Sequence, residues 1–407
     1  MNDSMEFIKH GNDNLIRNSK EYLPFVDMLV HACDREHVAW FGTFTRQTDQ
    51  SVMFSMPGVS FAVRVSGATT LDMTVTGGCN RALITTRKCS DGSTLETEIE
   101  LPDSCECIAL SGSLDPATAY DIIVTKVTEA EIRTAFTSFK PVTVRWLSID
   151  SGKFHVIEPK SIFFPRGWIE VIGNSDACGF GIDGSVSSTW NFLSMDPSHG
   201  NVLFAWGSQV AERLGFGKLA VRTIAGSGKG IVRNAPFCGD QTLPSLWRDC
   251  CMKIDEVPLP EAPRAVLMLA GGNDFFHQEP PDEMGFVTEF KNFLLDIHAH
   301  HGHSVPVFLF QCGAGCSSSA GSPFLHPADD AASVKSVNKL IDLTRVAASA
   351  ASAEAGRELY FIPLTTTLDL NEDFAVMMHW SRSGHKKIAT EISAFVLPHL
   401  SSSRGLV

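Results

Sequence analysis

A chain of 407 residues is too long for one ordinary domain, so two or three units are expected. Its 44% hydrophobic and 19% charged residues describe a well-cored globular protein, and no apolar run reaches the roughly eighteen residues that a membrane span needs. A formal net charge of −13 argues against nucleic acid as a partner, because phosphate contacts need clustered lysine and arginine.

The chain opens on MNDSMEFIKHGNDN, a polar lead without the apolar stretch of a secretory signal. The eleven cysteines are an odd count, include the vicinal pair Cys250 and Cys251, and show no disulfide-scaffold spacing. Together these predict a cytoplasmic protein with mostly reduced thiols. Pro24, Phe25, Met28, Leu29 and Ala32 fall at helical spacing, with the proline suited to a first turn, so residues 1–35 are expected to form an N-terminal extension with a helix. From Val38 to Lys126 the texture changes to short β runs: VAWFGTF, VSFAVRV, TLDMTVT, ALITT, ETEIEL, CIALSG and YDIIVTKV. Gly, Asp, Ser and Pro punctuate them regularly, which predicts an all-β sandwich of jelly-roll type over 36–158, closed by strands at Val142–Ile149 and Phe154–Ile157. Pro159 and Pro165 mark a linker.

A second domain over 159–407 reads as strand–helix alternation. Ile169 to Ile172 form a short buried strand that ends at Gly173, and Asn174-Ser175-Asp176 are turn formers. Asn201 to Leu214 is expected as a helix ended by Gly215, and Leu219 to Ile224 as a strand. Ala265 to Ala270 is a continuous apolar run of the parallel-sheet kind. Helices at Phe286–His298, Val334–Ala350 and Ser383–Leu397 alternate with strands at Val305–Phe310 and Leu359–Pro363. Repeated βα units imply a parallel sheet covered on both faces, an α/β domain. Residues 316–322, CSSSAGS, read as a polar loop.

Four blocks sit where strands of this domain end. Ser175 stands on a glycine-bounded turn past the first strand, the place where α/β enzymes present a nucleophile. Alone, GNS is an ordinary strand-ending turn. Ala225 to Gly230 (AGSGKG) is glycine-dense, which lets backbone N–H groups approach a substrate, and it lacks the pattern of a phosphate loop. Gly271-Gly272-Asn273-Asp274 follows the AVLMLA strand, and an asparagine amide there can donate to an oxyanion. His379 in HWSRSGH precedes the last helix and is placed to act as a general base.

These blocks, in this order, resemble those of the SGNH (GDSL-type) hydrolase superfamily, and most nearly those of carbohydrate esterase family 2. There a serine lies in a G-D-S block, a glycine and an asparagine complete the oxyanion hole, and a histidine precedes the last helix as H-P-x-x-x-G-H. Here the blocks read GNSDACGFG, SGKGIVRN, GGNDF and HWSRSGH. The N-terminal jelly roll has its counterpart in WFGTF and FSMPGVSFAVRVSG, and LPSLW at Leu243–Trp247 resembles a segment between the second and third blocks. The resemblance spans roughly residues 38 to 400. It implies a three-layer α/β/α catalytic domain behind the jelly roll. It also implies a serine esterase that removes acetyl groups from a carbohydrate without metal or cofactor.

The resemblance assigns Ser175 as nucleophile and His379 as base. It assigns the N–H groups of Ser175 and Gly228 and the Asn273 side chain to the oxyanion. Asp274 is expected at the substrate, and Trp380, beside the proposed base, is expected there as a surface on which a sugar ring stacks. The sequence departs from the family in three places. Asn174 replaces the usual Asp, Trp380 stands where Pro is usual, and Val376 and Met377 occupy the places where an Asp would orient the histidine. That last change implies a Ser–His dyad with a backbone carbonyl behind the histidine. Glu372 and Asp373 are the nearest upstream carboxylates. Two alternatives remain open at this point: a degenerate carbohydrate-binding protein, and an O-acyltransferase on the same fold. His298, His300, His301 and His303 read as a solvated turn, and Trp190, Trp206 and Trp247 as core.

Overall fold

The structure, a computed structural model, describes residues 28–130, 140–163, 165–184, 199–214, 219–236, 238–252, 261–275, 281–313, 331–369, 371–376 and 379–402. The proposed helix start at Pro24, and Trp190, Gly215, the CSSSAGS loop and Met377, lie outside these residues.

Two six-stranded antiparallel sheets form the sandwich. One runs β3 (Thr45–Arg46), β4 (Val52–Phe54), β11 (Val142–Ile149), β6 (Leu71–Thr76), β9 (Glu106–Ser111), with β1 (Met28–His31) also on β11. The other runs β12 (Lys153–His155), β5 (Ser60–Ser66), β10 (Ala119–Lys126), β7 (Arg81–Lys88), β8 (Thr94–Glu100), with β2 (Ala39–Phe41) also on β5. Val63, Val65, Leu71, Met73, Val75, Ile122 and Leu147 fill the space between the sheets and are essentially fully buried.

The N-terminal stretch corrects one expectation. Met28 to His31 is a strand paired antiparallel with Ile149 to Trp146, not part of a helix. Met28 and Leu29 are exposed and only Val30 turns into the core, so the apolar positions that matched a helical stripe serve an edge strand instead.

A short helix, α1 (Pro159–Phe163), occupies the expected linker and leads into a five-stranded parallel sheet. Its order is β14 (Ala220–Ala225), β13 (Trp168–Gly173), β15 (Val266–Leu269), β16 (Val307–Cys312), β17 (Tyr360–Leu364). Strand β13 is buried at every position, as a parallel strand covered on both faces must be. Ile172 and Met268 share a core with Trp247 of α4 (Leu243–Met252) and with Phe286 and Phe290 of α5 (Glu283–His301). The alternate residues Val171 and Leu267 share one with Trp206 of α3 (Trp206–Arg213) and Ile388 of α7 (Arg382–Ser402). Helix α6 (Ala331–Ala355) packs on α5, giving the three-layer α/β/α arrangement. The expected helix from Asn201 is split. A 3-10 turn at Val202–Phe204 is separated from α3 by extended Ala205. Among the described residues, no helix is long and apolar enough to cross a membrane.

The two domains are joined by specific bonds. The Val202 N–H donates to the Val127 carbonyl at 2.9 Å, and Arg81 donates to the Gly200 carbonyl at 2.6 Å.

Candidate active site

Sheet register assembles the site. Gly173 at the end of β13 pairs with Ala225 on one side and Leu269 on the other, so the turns beginning at Asn174, Gly226 and Ala270 leave the sheet edge at one level. The chain after β13 turns at once into a four-residue helix, α2 (Ser175–Cys178). Asn174 Oδ1 accepts the Asp176 N–H at 3.2 Å, the role an Asp would fill without its charge. Gly179, with φ +71°, ends the turn in the left-handed region. Ser175 is the first residue of that helix, so its N–H has no intrahelical acceptor.

His379 reaches Ser175 from the far end of the chain. Its Nε2 lies 2.8 Å from Ser175 Oγ, and its Nδ1 lies 3.2 Å from the Val376 carbonyl. That carbonyl also accepts the His379 backbone N–H at 3.1 Å, using the second of its two lone pairs. A proton on Nδ1 directed at Val376 leaves Nε2 as the acceptor for the serine hydroxyl. Phe180 stands edge-on to the imidazole, with centroids 4.6 Å apart. Neither nearby upstream carboxylate is a partner of the ring. Asp373 is enclosed, pairs with Lys387 at 2.5 Å and accepts the Asp369 N–H, while Glu372 is exposed. Two other serines of these blocks are committed elsewhere: Ser227 Oγ donates to Glu129, and Ser381 Oγ donates to the Glu372 carbonyl at 2.7 Å.

Gly228 and Asn273 come together on the flanks of Ser175. Asn273 Nδ2 donates to the Lys229 carbonyl at 2.9 Å, which fixes the amide plane; among the described residues its second hydrogen has no acceptor. Gly228 has φ +71°, and a Cβ there would meet Cys238 Sγ at 2.1 Å, so only glycine fits this turn.

Two positions expected to face substrate do other work. Asp274 is fully buried and accepts the N–H groups of Ile231, Val232 and Arg233 at 2.7, 2.8 and 3.0 Å. Burial raises its pKa, and those three donors oppose the rise. It braces the loop that carries Gly228. Trp380 is 1% exposed, packed on His385 with centroids 5.3 Å apart, so it offers no stacking platform. The bridge between Phe374 and Trp380 draws its side chain inward.

Several participants were not singled out from sequence. Asp176, next to the nucleophile, is fully buried and accepts the Trp380 N–H, while its Oδ1 has no hydrogen-bond partner among the described residues. Burial raises its pKa, and the positive form of His379 opposes that rise, so this carboxyl lies within electrostatic range of the imidazole. Its adjacency to Ser175 was the available signal. His385 is buried, and its Nδ1 accepts the Trp206 N–H at 3.0 Å. Burial and the neighbouring His379 charge lower its pKa to about 3, so it stays neutral.

The histidine cluster is corrected in part: His300 and His303 are exposed, as on a solvated turn, but the other two are not. His298 is buried, and His301 Nε2 lies 3.1 Å from Glu170 Oε1, inside the protein rather than on a solvated turn. Glu170 also accepts from Trp247 Nε1 at 2.8 Å and pairs with Arg222 at 2.9 Å. Burial pushes its pKa up, but Arg222, His301 and Trp247 outweigh this and hold it at about 2.

No family model matches the chain, and no curated protein matches it in sequence. Solved structures do share its fold. A family two carbohydrate esterase from Cellvibrio japonicus superposes with a TM-score of 0.67 at 17% identity, over 92% of this chain and 98% of that one. A family two carbohydrate esterase from Clostridium thermocellum, solved in complex with cellohexaose, gives 0.65 at 17% identity, over 89% and 99%. An acetyl xylan esterase from the rumen bacterium Butyrivibrio proteoclasticus gives 0.65 at 15% identity, over 92% and 99%. The sandwich and the three-layer domain together therefore form the two-domain fold of these esterases.

Proposed function

We propose that this protein is a serine esterase that removes O-acetyl groups from carbohydrate. The observation that carries the reading is the 2.8 Å contact from His379 Nε2 to Ser175 Oγ, with the ring held from behind by the Val376 carbonyl. Ser175 Oγ attacks the ester carbonyl carbon as its proton passes to His379 Nε2. The oxyanion takes the N–H groups of Ser175 and Gly228 and the free hydrogen of the Asn273 amide. Collapse breaks the bond to the sugar oxygen, which leaves with the proton from His379. Water then repeats the sequence on the acetyl-serine and releases acetate. The buried Asp176 carboxyl lies within electrostatic range of the imidazole without bonding Nδ1. The esterases that share this fold support the sugar as substrate, and one of them is named for acetyl xylan.

Incubation with a fluorophosphonate probe and with acetylated xylan tests the reading. Labelling at Ser175 with release of acetate is expected. Absence of both would turn the reading to sugar binding without catalysis. Acetyl transfer to an added acceptor sugar, in preference to water, would turn it to the acyltransferase.

A further inference from the structure

Residues 126–130 leave the last residue of β10 and enter the crevice between the domains. Lys126, Thr128 and Glu129 are all buried there. The Lys126 ammonium donates to the carbonyls of Thr128 and Glu129, which folds the segment back on itself. Thr128 Oγ1 donates to Asn80 Oδ1 at 2.6 Å, anchoring the turn in the sandwich. On the other side, the Ala130 N–H points at the Cys178 thiol of α2, the helix that begins with Ser175. The Glu129 carboxylate accepts both the hydroxyl and the N–H of Ser227. Burial raises the Glu129 pKa to about 7 and lowers that of Lys126 to about 7. Among the described residues, no cation hydrogen-bonds this carboxylate; the nearby Lys126 ammonium, engaged with the two carbonyls, favours its charged form only through space. A buried carboxylate without such a partner is an expensive way to hold two domains together, since apolar contact achieves that with less desolvation.

We propose that Glu129, carried by the sandwich domain, is a positioning residue of the esterase reaction. It grips Ser227 at two points and so fixes the turn that presents the Gly228 N–H to the oxyanion. The turn is held on its other sides by the Ala235 N–H, which donates to the Gly228 carbonyl at 2.8 Å, and by Asn273 on Lys229. Glu129 supplies the support that the catalytic domain lacks. The jelly roll is thus part of the catalytic apparatus. This inference rests on the reading of Gly228 as an oxyanion donor.

The test compares Glu129→Gln, Glu129→Ala, Ser227→Ala and the Glu129→Gln/Ser227→Ala double variant with wild type. Substrate is a chromogenic acetate ester, and kcat and KM are resolved separately. Loosening one donor should cost less than removing it, whose effect is about 10²–10³ in kcat. Glu129→Gln and Ser227→Ala should therefore each lower kcat about tenfold, and Glu129→Ala about a hundredfold, with KM within about twofold. The double variant should be no slower than the worse single one, because both break the same grip. Normal kcat per folded molecule in Glu129→Gln and Ser227→Ala would overturn the proposal, and so would multiplying losses in the double variant. Were Glu129→Ala not to fold, the two milder variants carry the test alone. A wild-type protein that neither turns over the ester nor labels with fluorophosphonate would instead overturn the esterase reading.

Discussion

Glu170 and Ser175 lie near opposite ends of one strand, and their surroundings differ in how fully polar groups are partnered. At the first end, both oxygens of Glu170 are occupied by Arg222, Trp247 and His301, and the carboxylate is locked in its charged form. At the second end, Asp176 keeps a buried oxygen and Asn273 one amide hydrogen without a partner among the described residues, and the Ser175 N–H opens its helix. A closed network can only hold a shape. An open one retains unused donors and acceptors, and those are what a reacting ester requires. The rule that parallel sheets place ligands beyond the carboxyl ends of their strands has a simple local form here.

The comparison is most easily broken at Ser175. Ser175→Ala should lower kcat by roughly 10⁶, the scale seen when a serine protease loses its nucleophile, while the melting temperature stays unchanged. A large fall in stability would mean that the open end is structural as well.

The first end should behave in the opposite way. Glu170→Gln leaves Arg222 buried without its counter-ion and should cost about 3–5 kcal/mol of stability, with normal turnover per folded molecule. The sign with pH follows from its depressed pKa. The Glu170 contribution is complete above the ordinary value of 4.5 and is lost as pH falls toward about 2. Denaturant melts of wild type and variant should therefore converge as pH drops through that window. A gap that is constant with pH would remove the charge from the explanation.

Asn273→Ala returns to the open end at a smaller scale, with a loss of about 10²–10³ in kcat and little change in KM. Because Asn273 also bonds Lys229, a loss confined to thermal stability would move it to the closed category. The smallest effect belongs to the upstream carboxylates. Glu372→Gln and Asp373→Asn should change kcat by no more than a few-fold, against about 10⁴ for a triad Asp, since His379 is oriented by the Val376 carbonyl. A drop near 10⁴ in either would replace the dyad with a triad.

Much of this was legible in the sequence because it was local. Apolar alternation gave the sandwich strands, continuous apolar runs gave the parallel sheet, and four strand-ending blocks in a fixed order gave Ser175. The displacement of the orienting role to a backbone carbonyl was also readable, from Val376 standing where an Asp is usual. The failures share a different cause. Glu170 meets His301 across 131 positions, and Glu129 meets Ser227 across 98, so no window of sequence contains either pair. Trp380 and Asp274 were placed by neighbourhood to active blocks. Burial depends instead on which way each side chain turns, and both turn inward. Met28 to Ala32 matched a helical stripe because so short a segment fits two periods, and pairing with β11 decided between them.

The contact between His385 and Trp206 has a consequence for how the last block of the sequence is read. Helix α3 begins after Ala205, whose side chain offers its first turn no acceptor. The imidazole of His385, from α7, fills that place by accepting the Trp206 N–H: it is a helix cap delivered by another helix. Only the neutral ring can do this, and with a pKa of about 3 the ring remains neutral well into acid. The two histidines of HWSRSGH therefore divide their labour. The first is the proposed base, and the second stays neutral. A residue that resembles catalytic equipment is here a splice, joining the helix that follows His379 to the helix packed beside Ser175.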